Sequence, residues 1–388
     1  MRDRHARLRY LDEVITLLYP PVNTAPRDPG PNGDTGTPDR PRASGGTGST
    51  CGGAAATAET VYALTPSRFL PRRLVPRSRW LPGRRRLPGG PGTIEGHLSE
   101  VFGQRVGLVL HVRPARRANR KPVLEVHAST GECLAFVKIG DTDPTRALVR
   151  HEAMTLALLA ATPLKTVVAP TLLHHDTWNG LEVLAVSPLP IRRLRRVPSP
   201  LLTQAVLEIA TLGLHAPHDT APLPPGGSGT ATTRPEPHNT ATARPEPFAM
   251  TPTRPEPLGT TITRANLIGG HCWHGDFSPW NIAPSPDGRL LVWDWERFGS
   301  GVPLGFDAVH HFFQRALRRV PPDVAAAACL AQALPTLAPY GLSAAQARET
   351  AVRYLITLAD RHERDGHHPL GPPSRWLSPL VDLQEVLT

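Results

Sequence analysis

Three polar residues in one short segment have the types and the spacing that phosphoryl transfer requires. Asp276 is followed five residues later by Asn281, and Asp294 comes at the end of the next apolar strand. The turn Ser-Pro-Asp-Gly at 285–288 and the run Leu-Leu-Val-Trp at 290–293 predict a hairpin between Asn281 and Asp294. The hairpin lets all three side chains converge. One carboxylate would position an acceptor hydroxyl and take its proton, while the amide oxygen and the second carboxylate would hold Mg²⁺ on a nucleotide's phosphates.

The same segment resembles a known family. His274-Gly275-Asp276, Asn281 and Asp294-Trp295-Glu296 are similar to the motifs of the aminoglycoside phosphotransferase and choline-kinase-like family, within the protein-kinase-like fold. That family shows HGDxxxxN, a strand ending in an acidic motif, and a further Asp after a Gly/Pro stretch. Gly301, Pro303 and Asp307 match the last feature. The resemblance covers about residues 94–388, apart from a repeat insertion.

The resemblance implies a fold and an activity. The fold class is α+β, two-lobed and protein-kinase-like, with a small antiparallel sheet in the N-lobe and a mostly helical C-lobe. The implied cofactors are ATP and Mg²⁺, and the implied reaction moves the γ-phosphoryl group to a hydroxyl of a small molecule. In that reaction Asp276 is the catalytic base, and Asn281 and Asp294 are the metal ligands.

The N-lobe offers an independent check on this interpretation. A kinase needs a lysine on its third strand for the nucleotide's phosphates and a glutamate on the next helix to pair with it. Lys138 lies on the third predicted strand, Ala-Phe-Val-Lys-Ile at 135–139, and Glu152 lies in the following helix. The chain has only three lysines, so a lysine at this position is informative.

A Gly-rich loop between the first two strands is missing. The segment from Arg113 to Lys121 holds five basic residues there instead. Two interpretations stay open: these side chains replace the glycine cradle as donors to the phosphates, or the loop is solvated.

The pattern from residue 94 to 190 predicts the nucleotide-binding N-lobe. After an opening helix at 94–103, the order is strand, strand, strand, helix, strand, with Thr145 as the expected helix cap. This order favours a small antiparallel sheet with one helix on it. The strand at 183–186 comes where an inter-lobe hinge is expected.

Residues 191–388 predict a helical C-lobe that contains an insertion. An amphipathic helix ends near His215, and helices follow residue 304. Between them, residues 217–263 hold a decapeptide repeat in which Arg234, Arg244 and Arg254 each precede Pro-Glu-Pro. Paired prolines favour extended, solvated chain, so this insertion is predicted to be disordered.

Residues 1–93 predict a mostly disordered, basic, Pro/Gly-rich N-terminal region. A short helix is expected at 5–19, a disordered stretch at 20–58, and a solvated connector at 60–94, which has eight arginines, six prolines and no acidic residue. The net charge of +10 arises in the first 150 residues. With 40 arginines and three lysines, codon usage explains much of it, and we do not expect a nucleic-acid partner.

The remaining features limit the function classes. No apolar run reaches the ~18 residues of a membrane span, and four scattered cysteines without a CxxC pair predict a reducing, cytoplasmic location. Two rival functions are a non-catalytic kinase-like module with an anionic partner and a protein kinase. The second lacks its HRD and APE motifs. The acceptor is expected to be a neutral or anionic hydroxylated metabolite, because residues 304–388 carry eight acidic and eight basic residues; its identity and the oligomeric state stay open.

Overall fold

A computed structural model describes most of the chain. It covers residues 2–20, 60–65, 73–76, 84–111, 120–191, 197–212, 270–366, 368–378 and 380. The helices are α1 Arg2–Leu18, α2 Ile94–Val101, α3 Asp143–Ala160, α4 Ser199–Ala210, α5 Phe306–Leu317, α6 Pro322–Ala331, α7 Ala333–Leu337, α8 Ala344–Arg364 and α9 Pro373–Trp376. The predictions of disorder for 21–58 and for the repeat at 217–263 lie outside the described residues.

The strands form one large sheet and two small ones. In chain order they are β1 Thr60–Thr65, β2 Arg73–Pro76, β3 Arg84–Leu87, β4 Val106–His111, β5 Val123–Ala128, β6 Cys133–Gly140, β7 Val167–Val168, β8 Leu172–Trp178, β9 Leu181–Val186, β10 His271–Trp273, β11 Ile282–Pro284, β12 Leu290–Val292 and β13 Gly299–Val302. The large sheet has the order β3-β1-β2-β4-β5-β6-β9-β8. All its pairings are antiparallel, so the α+β class with an antiparallel sheet is confirmed.

The sheet is larger than the sequence predicts. Strands β1, β2 and β3 lie in the stretch interpreted as a solvated connector, and they extend the sheet beyond β4. Their inward side chains, Tyr62, Leu74 and Leu87, are buried in the same core as Leu11 and Leu18 of α1. The connector interpretation is therefore wrong for these strands, and the predicted domain boundary at residue 93 divides one hydrophobic core.

Strand β9 separates two hydrophobic cores, one on each face of the sheet. Every one of its residues is buried. Leu181 and Val183 pack in the core that α1 covers, whereas Leu184 and Val186 pack in the core formed with α3 and the C-terminal helices. Alternation along a strand explains this division, since successive side chains point to opposite faces.

The N-cap of helix α3 lies three residues before the predicted one. Thr142 is the N-cap and its hydroxyl accepts from the backbone N–H of Thr145, whose hydroxyl accepts in return from the N–H of Thr142. Pro144 occupies the first turn, where its missing N–H costs nothing. The expectation that Thr145 caps the helix is corrected accordingly.

The predicted hairpin is present as β11 and β12, which pair antiparallel, with β7 parallel on the far side of β12. Strand β10 pairs with β13. Cys133, Cys272 and Cys329 are free thiols. Within the described ranges, none of the helices has the length and apolar character needed to cross a membrane.

Candidate active site

The loop that carries Asp276 follows β10 and is fixed from two distant helices. Asp307, in the first turn of α5, accepts from the backbone N–H groups of His274 at 2.7 Å and Gly275 at 3.3 Å. Arg361 of α8 donates to the carbonyl oxygen of Gly275 at 2.6 Å. Gly275 has a φ of 81°, and a Cβ there would lie 2.0 Å from the backbone carbonyl oxygen of Arg297. The loop therefore requires glycine at this position.

The Asp276 carboxylate is surrounded by hydrogen-bond donors. His310 lies 3.0 Å away through Nε2, the amide nitrogen of Asn281 donates at 3.0 Å, and the hydroxyl of Ser278 also donates. Burial by itself raises the pKa of Asp276, but the contacts with His310 and Ser278 outweigh it and lower the pKa below the usual range. The side chain is 35% exposed, so an ionised carboxylate is held in one orientation and remains accessible.

His310 is held as a neutral imidazole between Asp276 and Tyr354. Its ring is fully buried, and burial lowers its pKa although Asp276 opposes this. The Tyr354 hydroxyl lies 3.0 Å from Nδ1. Since the ionised carboxylate can only accept, Nε2–H of His310 donates to Asp276 and Nδ1 accepts from Tyr354. This chain of contacts fixes the orientation of Asp276.

His274 has a structural place in the same loop. Its Nδ1 accepts from the backbone N–H of Asp276 at 3.1 Å, and Nε2 lies 3.1 Å from the carbonyl of Trp293. Burial lowers the pKa of His274 to about 4. The ring is therefore neutral, and it joins the Asp276 loop to the end of the hairpin.

Lys138 and Glu152 form the predicted pair. Lys138 is on β6, on the face toward α3, and its Nζ lies 2.7 Å from both carboxylate oxygens of Glu152. Lys138 also contacts Asp294 directly. Burial opposes the charge, but Asp294 and Glu152 raise the pKa of Lys138 above its usual value. A buried, protonated lysine thus lies between two carboxylates.

Asp294 has a left-handed backbone conformation, which the surrounding contacts stabilise. Its φ is 68°, in the left-handed region that few residues other than glycine adopt. The next backbone N–H, of Trp295, donates to Glu152 at 3.2 Å, and the Trp295 ring is fully buried. These contacts direct the Asp294 carboxylate to Lys138. Such backbone strain is concentrated at functional sites.

The carboxylate oxygens beside Lys138 fit a magnesium ion. Asn281 directs its amide nitrogen to the backbone and side-chain oxygens of Asp276, both at 3.0 Å, so its amide oxygen turns away from Asp276. Carboxylate oxygens of Asp294, Glu152 and Glu296 lie within 4.8 Å of one another. Oxygen donors of this kind are the ligands that Mg²⁺ prefers.

Two basic residues of the loop at 113–121 are described, and they differ in role. Lys121 forms an ion pair with Glu296, and both side chains are largely buried. Arg120 instead pairs with Glu13 of α1 at 2.9 Å and stacks on Tyr10. The loop is therefore neither wholly solvated nor wholly a set of phosphate donors. Lys121 contacts the carboxylate cluster of Glu152, Asp294 and Glu296 through Glu296, whereas Arg120 contacts α1.

A pocket of about 570 Å³ opens beside the Asp276 loop. Pro279 and Ile282 form its wall on the loop side, and the start of α4 forms another. The other lining residues come from α5 and the residues after it. They are His311, whose pKa burial lowers to about 4, and the basic Arg315, Arg318 and Arg319. Among the residues that the structure describes, the three arginines make no ion pair with a carboxylate. The volume is in the range of small-molecule sites.

All five sequence-predicted site residues, Lys138, Glu152, Asp276, Asn281 and Asp294, lie in contact with at least one other member. Sequence reasoning missed the residues that orient them. His310 stands 34 positions from Asp276 and Lys121 stands 175 from Glu296, so spacing alone gives no signal for either contact.

Comparisons with known proteins give limited similarity. No protein-family model and no curated protein matches the chain. Among solved structures, the chain is similar to the crystal structure of a "putative fructosamine-3-kinase" from Haemophilus somnus 129PT. The identity is 15% and the TM-score 0.37, and the match covers 70% of this chain and 90% of that one.

Proposed function

We propose that this protein is a small-molecule phosphotransferase that moves the γ-phosphoryl group of ATP to an acceptor hydroxyl. One observation carries the proposal. The Lys138–Glu152 pair and the Asp276–Asn281 pair arise from separate parts of the chain. Asp294 contacts Lys138, and His274 links the Asp276 loop to Trp293, the residue before Asp294. This is the set of groups that phosphoryl transfer uses. In this proposal the fold is a two-lobed kinase-like one, with β9 leading to the hinge.

The proposal gives each residue a role. Lys138, oriented by Glu152, binds the α- and β-phosphates, and the nucleotide takes over contacts that Asp294 makes with Lys138 in this structure. Asn281 and Asp294 would hold Mg²⁺, which neutralises developing charge on the phosphates.

Asp276 acts on the acceptor. Its carboxylate accepts a hydrogen bond from the acceptor hydroxyl and takes the proton as the hydroxyl oxygen bonds to the γ-phosphorus. The bond from that phosphorus to the oxygen of the β-phosphate breaks, and ADP leaves with the electron pair. Because the pKa of Asp276 is low, its larger contribution is orientation of the hydroxyl, with proton transfer late in the step.

The acceptor in this proposal carries an anionic group. Arg315, Arg318 and Arg319 line the pocket beside the Asp276 loop without carboxylate partners among the described residues. Positive charge near the end of a helix is favourable through the helix dipole, but that effect does not require three guanidinium groups around one pocket. A phosphate or carboxylate would pair with them, and a polycationic aminoglycoside would be repelled.

Nucleotide titration tests the activity itself. We expect ATP to bind the full chain, to bind more tightly with Mg²⁺, and to yield ADP at a rate that an acceptor increases. Calorimetry and a coupled ADP assay measure these quantities. Mg²⁺-dependent ATP binding with no acceptor-stimulated ADP release would favour the non-catalytic module, and absence of nucleotide binding would overturn the whole proposal.

Matched acceptors test the charge preference. Glycerol, glycerate and glycerol 3-phosphate form one series, and glucose, glucosamine and glucose 6-phosphate form another. We expect the anionic members to have the highest kcat/KM, and Arg315→Gln to lower it about tenfold or more, as loss of a charge-assisted hydrogen bond does. Arg353→Gln on α8 is the matched control, since its one ion pair among the described residues is with Glu349 on its own helix. A preference for the neutral or cationic member would refute an anionic acceptor.

A further inference from the structure

A second cluster of polar side chains lies on the large sheet, separate from the active site. His97 comes from α2, and His174 and Asp176 come from the edge strand β8. Residues 174, 176 and 178 share one face of β8 by strand alternation, and α2 lies over that face. One ligand atom from each of the three residues lies within 4.8 Å of the others.

The three side chains lie close together but form no hydrogen bonds with one another. Nε2 of His97 lies 3.2 Å and Nε2 of His174 lies 3.1 Å from the same carboxylate oxygen of Asp176. Neither contact has hydrogen-bond geometry. Both ring nitrogens and the second Asp176 oxygen are buried atoms with no hydrogen-bond partner among the described residues. Unpaired buried polar atoms are costly, so three at one point require an explanation.

A metal ion accounts for both ring nitrogens at once, and the Asp176 oxygen that they both approach would be the third ligand. Two ligands on a tetrahedral zinc, with bonds of about 2.0–2.1 Å, stand roughly 3.3 Å apart, close to the 3.1 and 3.2 Å separations seen here. We propose that His97, His174 and Asp176 form a Zn²⁺ site, with the fourth position open to water.

The elements that carry the ligands are rigid. Ile94 and Leu98 of α2 are fully buried in the core under the sheet, and β8 pairs with β9 along its length. The ring of Trp178 stacks on His97 at 5.6 Å, which fixes the plane of the imidazole. The ion would join α2 to the edge strand β8.

Zinc titration of the full chain tests the site. The measurements are bound zinc by mass spectrometry after gel filtration, in millimolar Mg²⁺ to occupy the carboxylates of the active site, and the visible absorption of the Co²⁺ form. We expect one tightly bound zinc in the unmodified protein. His174→Gln should lose it, with an affinity loss greater than the roughly 10–100-fold that an outer-shell change costs.

The adjacent residue provides the control. His175 lies on the opposite face of β8, where its Nε2 is 2.8 Å from Glu182, so His175→Gln should keep the zinc. Retained ATP binding in both variants would show that the fold is intact. Absence of tight zinc binding by the unmodified protein would overturn the proposal, as would unchanged binding in His174→Gln. If the variants unfold, the Co²⁺ spectrum of the unmodified protein decides, since imidazole ligation must appear there.

Discussion

At the scale of single residues, Asp276 and Asp294 are both acidic but have different surroundings. His310, Ser278 and Asn281 orient Asp276, whereas Asp294 contacts Lys138. The proposed function therefore separates the two carboxylates: Asp276 acts on the acceptor, and Asp294 acts on the metal-bound nucleotide.

Substitution of each carboxylate should have a different effect. Asp276→Asn removes the charge and the base, and we expect kcat to fall about 10²–10⁴-fold, or roughly 3–5 kcal/mol of barrier, with ATP affinity little changed. Asp294→Asn should weaken Mg²⁺-dependent ATP binding as well as turnover. Calorimetry and steady-state ADP release measure both. Asp287→Asn is the control, because Asp287 lies exposed in the hairpin turn and pairs with Arg289. Near-normal turnover by Asp276→Asn would refute its role as base.

The buried Asp307 should make stability depend on pH. Burial raises the pKa of Asp307 to about 7 from a usual 3.8, although the N–H groups of His274 and Gly275 oppose the shift. The folded state thus holds a proton that the unfolded state releases, so this contribution is full below about pH 4 and is lost as the pH rises to 7. We expect the stability difference between the unmodified protein and Asp307→Asn, from urea unfolding, to shrink over that window. A constant difference would show that Asp307 stays ionised.

At the scale of elements, α1 is part of the sheet core. Leu11 is 1% exposed and packs with residues of the sheet. We expect Leu11→Ala to lower the free energy of unfolding by about 2–5 kcal/mol, while Thr16→Ala, on the exposed face of the same helix, changes it by less than about 0.5 kcal/mol. Chemical unfolding measures both. Equal stability of the two variants would mean that α1 contributes nothing to the core.

The elements that sequence could predict are those with a strong pattern. Strands β4, β5 and β6 are rich in Val and Leu, and α3 has apolar residues at helical spacing, so their order was predictable and Lys138 and Glu152 could be placed on them. Strand β8 was not predictable, since its inward face carries His174 and Asp176 instead of apolar residues. Strands β1 to β3 are short and lie among prolines and arginines, and only their pairing with one another and of β2 with β4 makes them strands.

The residues of the candidate site also fall into a group that the sequence predicts and a group that it does not. Asp276, Asn281 and Asp294 are close in sequence and joined by a hairpin, so their spacing carries the prediction. The residues that orient them are not close in sequence. Tyr354 reaches His310 across 44 positions, and such a contact depends on how α8 packs against α5. Local sequence patterns therefore predict the reacting residues, whereas helix packing determines how their side chains are oriented.

At the scale of the whole molecule, residues 213–269 stand between the described ends of α4 and β10. The thiol of Cys272 lies 2.9 Å from the carbonyl oxygen of Leu212, so the two ends of the intervening segment are in contact. A short connection can therefore replace it without moving α4 or β10. The segment contains the decapeptide repeat, whose apolar residues are few.

Deletion of residues 217–263 should leave the protein folded and active. The cost of closing a loop grows slowly with its length, so shortening this one about sixfold should stabilise the fold by no more than about 1.5 kcal/mol. We expect an equal or slightly higher melting temperature and unchanged kcat/KM, measured by calorimetry and ADP release. Deletion of residues 1–20 is the matched comparison: it removes α1, exposes the core around Leu11 and Leu18, and should lower the melting temperature clearly. A comparable loss of stability on deleting 217–263 would show that the repeat packs against the fold, and the interpretation as a solvated insertion would be wrong.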